Sequence, residues 1–375
     1  MIPKDAVLLN QKLTACLRTY LPYDATDINL RGLRKCNEQG RSSELYSFFG
    51  TIALDHLTQS KEFILRIYRE ENGEKGRKEF LTLKYLREQN MPVPFVYYFE
   101  EKNNIFQKPF LIMEKINGIN ASCLLNNEEN ALFIVEEMAK SLANIHKIDY
   151  KHIEKFRNMQ QQYELKQKEL FEIQFFINKG CIPFLGFSPI NKRKFIKAVK
   201  KLGCAEPKKV SLSLIHLDYE PNHIIVSDGS LIVLDWGEAS IGDPSYDVAW
   251  TYHKLRLGQE KRKVDLGEHF VNCYEKYSDQ FLENLQFFKD MVAIEMAKWC
   301  ALSPFGSSRT RNYFKLLQLF FGDVVGEIRR KIYLKNLQRF MAGHHTPIWS
   351  NIAYIQNYAL RYLDCERYEY IRTIT

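Results

Sequence analysis

The stretch that decides the fold runs from His216 to Trp250 and reads HLDYEPNHIIVSDGSLIVLDWGEASIGDPSYDVAW. Two apolar runs flank Asp228-Gly229, a dipeptide suited to the left-handed conformations of a tight hairpin. Asp218 precedes the hairpin and Asp235 closes it, so a short loop brings the far ends of both strands side by side. With a three-residue loop at Asp228–Ser230, His223 faces Asp235; with a two-residue loop, Asn222 faces it instead. Either way a carboxylate and a nitrogen or oxygen ligand meet at the open end, close to Asp218.

A carboxylate with one such partner can hold a magnesium ion that keeps waters and binds substrate phosphates. A second carboxylate nearby can accept a hydroxyl proton during transfer. A lone His-x-Asp before a strand is common and carries no meaning, and Asp235 alone could end a hairpin. The joint pattern is what counts.

Ile215 to Trp250 resembles the aminoglycoside phosphotransferase superfamily, which includes choline, homoserine, methylthioribose and macrolide kinases. The family's H-x-D, D-W and G-D-P-x-x-D elements stand here as His216-x-Asp218, Asp235-Trp236 and Gly242-Asp243-Pro244-x-x-Asp247. The resemblance implies an α+β, bilobal, protein-kinase-like fold. A small β-rich N-terminal lobe would span residues 1–117, preceded by a helix at about 5–20. A large, mostly helical lobe would span 118–375 and carry the catalytic hairpin at 215–250. It further implies nucleotide bound between lobes, Mg2+, and transfer of a terminal phosphate from ATP or GTP to a small-molecule hydroxyl. Asp218 would be the catalytic base or hydroxyl-orienting carboxylate and Asp235 the principal metal ligand. Asp243 and Asp247 would brace the loop.

The family's second metal ligand, an asparagine, should fall five residues after Asp218, where this chain has His223; Asn222 is one place early. Of three readings the first is adopted, with His223 and Asp235 as the metal ligands: a neutral imidazole ligand, as in the macrolide kinases; a one-residue shift that lets Asn222 coordinate; or a packed His223 with the metal resting on Asp235. An imidazole ligand would weaken metal binding below its pKa of about 6.5.

Upstream, "ELYSFFGTIAL" and "EFILRIYRE" read as strands, "KGRKEFLTLKYLREQN" as a helix, and "KPFLIMEKI" as a strand ending at Asn117-Gly118. "EQGRSSELYSFF" sits where the family has its phosphate-covering loop, so Ser42 and Ser43 are candidate phosphate donors. Arg66 takes the place of the nucleotide-binding lysine, with Glu79 on the next helix as its expected partner. The backbone from Glu114 to Ile116 would meet the base at the hinge. His146, at the end of the helical run "NEENALFIVEEMAKSLANIHKI", is expected to pack or cap. Further helical runs are "YKHIEKFRNMQQQYELKQKELFEIQFFINKG", "MVAIEMAKWCAL" and "NYFKLLQLFFGDVVGEIRRKIYLKNLQRF".

Bulk composition agrees with such a molecule. The 375 residues are 45% hydrophobic and 26% charged, with no long uncharged apolar run, so no membrane span is expected. The amphipathic N-terminus lacks the form of a signal peptide, which points to the cytoplasm. Eight scattered cysteines without CxxC spacing argue against structural zinc and a disulfide framework. The net charge of +8 is dispersed among acidic neighbours, so no nucleic-acid partner is expected. The acceptor class is not written in the sequence: acidic residues between Glu260 and Glu295 are diluted by lysines, and aromatic stripes there read as core. Two rivals remain, a non-catalytic nucleotide-binding protein of the same fold and a protein kinase. The second is disfavoured because "DWGEASIGDP" runs straight into "SYDVAW", leaving no room for an activation segment.

Overall fold

The structure, a computed structural model, describes residues 6–18, 25–36, 43–54, 57–69, 72–101, 106–150, 207–208, 210, 212–257, 264–278 and 281–301. The chain divides into two compact units, Met1–Tyr163 with Val210–Leu282, and Glu164–Lys209 with Glu283–Thr375. The 117/118 lobe boundary expected from sequence falls inside the first of these.

The first unit opens with α1 (Ala6–Arg18), then β1 (Ala25–Lys35), β2 (Ser43–Leu54), β3 (Leu57–Tyr68), α2 (Gly73–Glu88), β4 (Val96–Glu100) and β5 (Phe110–Glu114). The strands form one antiparallel sheet in the order β1-β2-β3-β5-β4. Period-2 alternation sorts the side chains of β3. Phe63, Leu65 and Ile67 join Tyr46 and Phe48 of β2 and Leu13 and Leu17 of α1 in a buried cluster. Arg66 and Tyr68 therefore point to the opposite face, and α2 covers them. Its buried stripe of Gly76, Glu79, Leu83 and Leu86 has helical spacing, with an acid inside it. Gly76 has to be small, because a Cβ there would lie 2.6 Å from the Tyr68 ring.

After the hinge come β6 (Ile119–Asn120), α3 (Ala121–Leu124) and α4 (Glu128–His146). Asn127 caps α4 by accepting the Asn130 N–H at 3.1 Å. Then follow β7 (Ser213–Ile215), β8 (Ile224–Ser227), β9 (Ser230–Val233), β10 (Ser240–Gly242), α5 (Ser245–Leu257) and α6 (Leu266–Tyr277). β6, β8 and β9 form a three-stranded sheet, and β7 pairs with β10. Asp265 caps α6 by accepting the Gly267 and Glu268 N–H groups at 2.9 and 3.2 Å. The second unit contributes α7 (Leu285–Ala301), as the periodicity of "MVAIEMAKWCAL" requires. The other two long helical runs lie outside the described residues. Among the described residues no helix is long and apolar enough to cross a membrane.

The expected hairpin is present, with Ser227 paired to Ser230 across a two-residue loop. Asp228 and Gly229 both have positive φ, 47° and 74°, as a primed turn demands. Gly118, at the hinge, lies against the edge of β8: a Cβ there would sit 2.3 Å from the Val226 carbonyl oxygen. Gly118→Ala should therefore lower the thermal midpoint, at a cost of about 1–3 kcal/mol, because backbone must move to admit the methyl group. Differential scanning calorimetry beside the wild type checks this; an unchanged midpoint would mean that β6 separates freely from β8.

Candidate active site

The site is built on a buried carboxylate. Asp247, at the start of α5 and fully buried, accepts the His216 N–H at 2.6 Å and the Leu217 N–H at 2.8 Å, one on each oxygen. Leu217 has φ 65°, a left-handed conformation that a leucine adopts only when held. The two bonds hold it, and the bend they impose sets the direction of Asp218. His146 closes the far side, with Nε2 3.3 Å from Asp247 and Nδ1 2.8 Å from the Tyr274 hydroxyl on α6. His146 packs, as expected. Asp243 accepts the Ser245 N–H at 2.8 Å at the entry to α5. Both aspartates brace the loop.

His216 is wholly buried beside Trp236, and its partners fix its tautomer. Nδ1 accepts the Asp218 N–H at 3.2 Å and Nε2 donates to the Leu234 carbonyl at 2.9 Å. The ring is neutral, and burial pushes its pKa below the ordinary histidine value. It ties the segment before the hairpin to the strand leaving it. Tyr219 is fixed likewise, donating its hydroxyl to the Met138 carbonyl of α4 and accepting from Thr251 on its own carbonyl.

The register between β8 and β9, continued outward, would set Asn222 opposite Asp235. The ladder stops at Ile224–Val233, however, and Pro221–His223 forms a turn of 3-10 helix. Asn222 is exposed, its carbonyl accepting from Asn120 at 2.8 Å. His223 is the residue that faces inward. Its Nδ1 lies 2.9 Å from the backbone carbonyl of Asp218, which fixes a proton on that nitrogen. Nε2 then lies 3.8 Å from Asp235 Oδ2 and 3.9 Å from Glu220 Oε1. Burial alone would lower the pKa of His223, but Asp218, Asp235 and Glu220 together raise it. A group of carboxylates that favours a proton on Nε2 also favours a divalent cation there. Asp218, Glu220 and His223 each offer a ligand atom within 4.8 Å of the others. Two carboxylates and an imidazole fit a divalent cation that keeps part of its water shell.

Across the cleft Arg66 and Glu79 are together, as expected. Arg66 Nη1 donates to Glu79 Oε1 at 2.7 Å, Nη2 to Asp235 Oδ1 at 2.8 Å, and Nε to the Ser43 hydroxyl at 3.0 Å. Burial would raise the Asp235 carboxyl, but Arg66, His223 and Lys75 hold it well below the usual carboxylate range. Asp235 itself has φ 62°, so both candidate catalytic carboxylates sit at or beside left-handed residues. Burial raises the Asp218 carboxyl, with Glu220 adding to the shift and His223 and Lys254 opposing it.

Ser43 thus binds the guanidinium, while Ser42 lies outside the described residues. Glu114 ends β5, its backbone N–H donating to the Phe95 carbonyl at 2.8 Å and its side chain accepting the Phe95 N–H at 3.2 Å. Ile116 follows, half-buried, in the link to β6. Three members of the cluster went unread in the sequence. Glu220 contacts Lys254 of α5 at 2.8 Å, Lys254 lies over the Trp250 ring at 4.8 Å, and Tyr68 donates to Glu79 Oε2 at 2.6 Å. Tyr68 stands two residues past Arg66 on β3, so a period-2 reading from Arg66 would have drawn attention to it.

These features define a kinase-like fold of α+β, bilobal type, and solved structures share it. A streptomycin–ATP ternary complex of an aminoglycoside 2''-phosphotransferase is 16% identical with TM-score 0.54, covering 85% of this chain and 97% of that one. Choline kinase from Cryptosporidium parvum is 14% identical with TM-score 0.52, covering 88% and 98%. An amicoumacin kinase crystallised with AMP-PNP, Ca2+ and amicoumacin is 14% identical with TM-score 0.51, covering 83% and 92%. No curated protein matches the sequence. The phosphotransferase enzyme family matches residues 53–272, more than half of the chain, and the chain belongs to that family.

Two predictions follow from the brace. Asp247→Asn leaves one oxygen for two backbone N–H groups, and an unsatisfied buried donor costs about 1–3 kcal/mol. Its thermal midpoint should fall accordingly, read by calorimetry; no change would remove Asp247 from the brace. His216 has a folded-state pKa below its unfolded value of about 6.5, so its stability contribution is complete above that pH and declines as pH falls. His216→Gln should lose less thermal stability than wild type between pH 7.5 and 5.5, and an equal or larger loss would contradict a neutral buried ring.

Proposed function

We propose that this protein is a small-molecule kinase that moves the γ-phosphate of ATP or GTP to a hydroxyl of its acceptor, with Mg2+ as the metal. The observation that carries the reading is the convergence at Asp235. One of its oxygens is bound by Arg66 at 2.8 Å, and the other faces His223 Nε2 at 3.8 Å. An arginine suited to phosphate oxygens and an imidazole suited to a divalent cation therefore share one carboxylate, with Asp218 and Glu220 alongside.

In this reading Asp218 accepts or orients the acceptor hydroxyl proton, its raised pKa bringing it closer to the working pH of a general base. His223 and Asp235 hold the metal, with Glu220 adjoining. A metal held there would supply neutralising charge for the phosphate oxygens. Arg66, steadied by Glu79 and Ser43, binds the phosphates from the small-lobe side. The backbone from Glu114 to Ile116 receives the base. The chain's own contribution is positioning and fixed charge rather than covalent chemistry. A kinase of this kind works in the cytoplasm, where its nucleotide is.

The test is Mg2+-dependent turnover of ATP and GTP against a panel of hydroxyl compounds, with Asp218→Asn alongside. Acceptor-stimulated turnover should fall by about 10²–10⁴-fold in the variant, while nucleotide affinity stays within a few-fold. Chelation of the metal should abolish turnover in both. Nucleotide binding without turnover in the wild type, whatever the acceptor, would favour a binding protein of the same fold. Absence of nucleotide binding would overturn the reading.

A further inference from the structure

An arginine where other kinases use lysine creates a problem of its own. Guanidinium and carboxylate match as two parallel N–H···O bonds, so an arginine beside a buried glutamate tends to close on it as a fork. Two of its five N–H groups would then be spent on Glu79 alone, with the planar head turned towards α2.

Tyr68 prevents this. Its hydroxyl donates to Glu79 Oε2 at 2.6 Å, so Arg66 reaches only Oε1, through Nη1 at 2.7 Å. Nη2 is left for Asp235 at 2.8 Å and Nε for Ser43 at 3.0 Å. Among the described residues three of the five N–H groups are thus used on three separate elements, and two remain. The tyrosine has no freedom to do otherwise. It is fully buried, its ring lies 5.3 Å from the Arg66 guanidinium carbon, and α2 presses on it at Gly76. Its own N–H is anchored on the Pro109 carbonyl at 2.8 Å. Burial, with Glu79 beside it, pushes its pKa far up, so it remains a donor.

We infer that Tyr68 is a positioning residue for nucleotide phosphate: by occupying one oxygen of Glu79 it holds Arg66 to a single-point ion pair, so the guanidinium bridges to Asp235 and keeps two N–H groups for a triphosphate. The inference rests on the phosphotransferase reading above. It concerns a side chain that touches no substrate and acts through Glu79 and Arg66.

The substitution Tyr68→Phe removes only the hydroxyl and keeps the ring against Gly76 and Arg66. Calorimetric titration of the full chain with ATP and GTP in Mg2+, and with adenosine and guanosine, reads the effect. The triphosphate that binds the wild type should bind the variant about 10-fold more weakly, and the matching nucleoside equally well in both. In a Glu79→Ala background, where Tyr68 has nothing to hold, the same substitution should have no further effect on triphosphate affinity. Unchanged triphosphate affinity, or equal weakening of nucleoside and triphosphate, would overturn the inference while leaving the phosphotransferase reading intact. A wild type that binds neither triphosphate would overturn both. Should the phenylalanine variant fail to fold, Glu79→Gln serves, since it turns one of the two oxygens that Arg66 and Tyr68 occupy separately into an NH2 donor. Its triphosphate affinity should drop with nucleoside affinity unchanged, and an undiminished triphosphate affinity would count against the inference.

Discussion

Everything in the site depends on a buried guanidinium that cannot stand alone. Arg66 has 6% of its surface exposed, and a charge so far from water persists only when paired and hydrogen-bonded. Glu79 and Asp235 supply the pairing, and they come from opposite sides of the cleft. The cost of burying Arg66 thus becomes a force that joins β3 and α2 to the end of the hairpin. A second ion pair, Lys75 with Glu238 at 3.0 Å, repeats the link one turn of α2 earlier. Gly237 makes room for the lysine stem, since a Cβ there would lie 2.5 Å from Lys75 Cε.

The balance of charge is uneven. Around the cleft Glu79, Asp218, Glu220, Asp235 and Glu238 outnumber Arg66, Lys75 and Lys254. His223 makes up part of the deficit as a proton acceptor, which is why its pKa rises in spite of burial. Such a cluster is costly without a further cation, and favourable with one. A divalent cation is the kind of ligand that the proposed reaction would bring to it.

Much of this was legible in the sequence, and for identifiable reasons. The hairpin announced itself through Asp228-Gly229 between apolar runs, and its ends brought Asp218 and Asp235 together without any knowledge of the rest. Arg66 and Glu79 were legible because β3 is apolar around one charge and α2 carries an acid on its buried stripe. Counting five residues on from Asp218 favoured His223, but the hairpin left the choice open: a three-residue loop sets His223 opposite Asp235, and the two-residue loop that forms sets Asn222 there. The chain overrides that register by ending the ladder at Ile224 and turning Pro221–His223 inward, a step set by proline and by the Asp218 carbonyl that receives His223. Glu220 and Lys254 went unread for another reason. They meet each other only through the fold, and an acid or a lysine alone predicts no such partner.

The left-handed residues show how the two halves of the site are kept in step. Backbone in that region costs a non-glycine residue about 1–3 kcal/mol, and it persists only where surroundings over-determine it. Leu217 is held by Asp247, and Asp235 by Arg66 and the turn that buries Trp236. His216 connects the two, because one of its nitrogens takes the Asp218 N–H and the other binds Leu234, the residue before Asp235. A shift of either carboxylate is therefore passed to the other through this neutral imidazole, as well as through His223. That makes His216 a structural counterpart of His223: one ring is kept neutral to hold the frame, and the other is set among carboxylates to receive a cation.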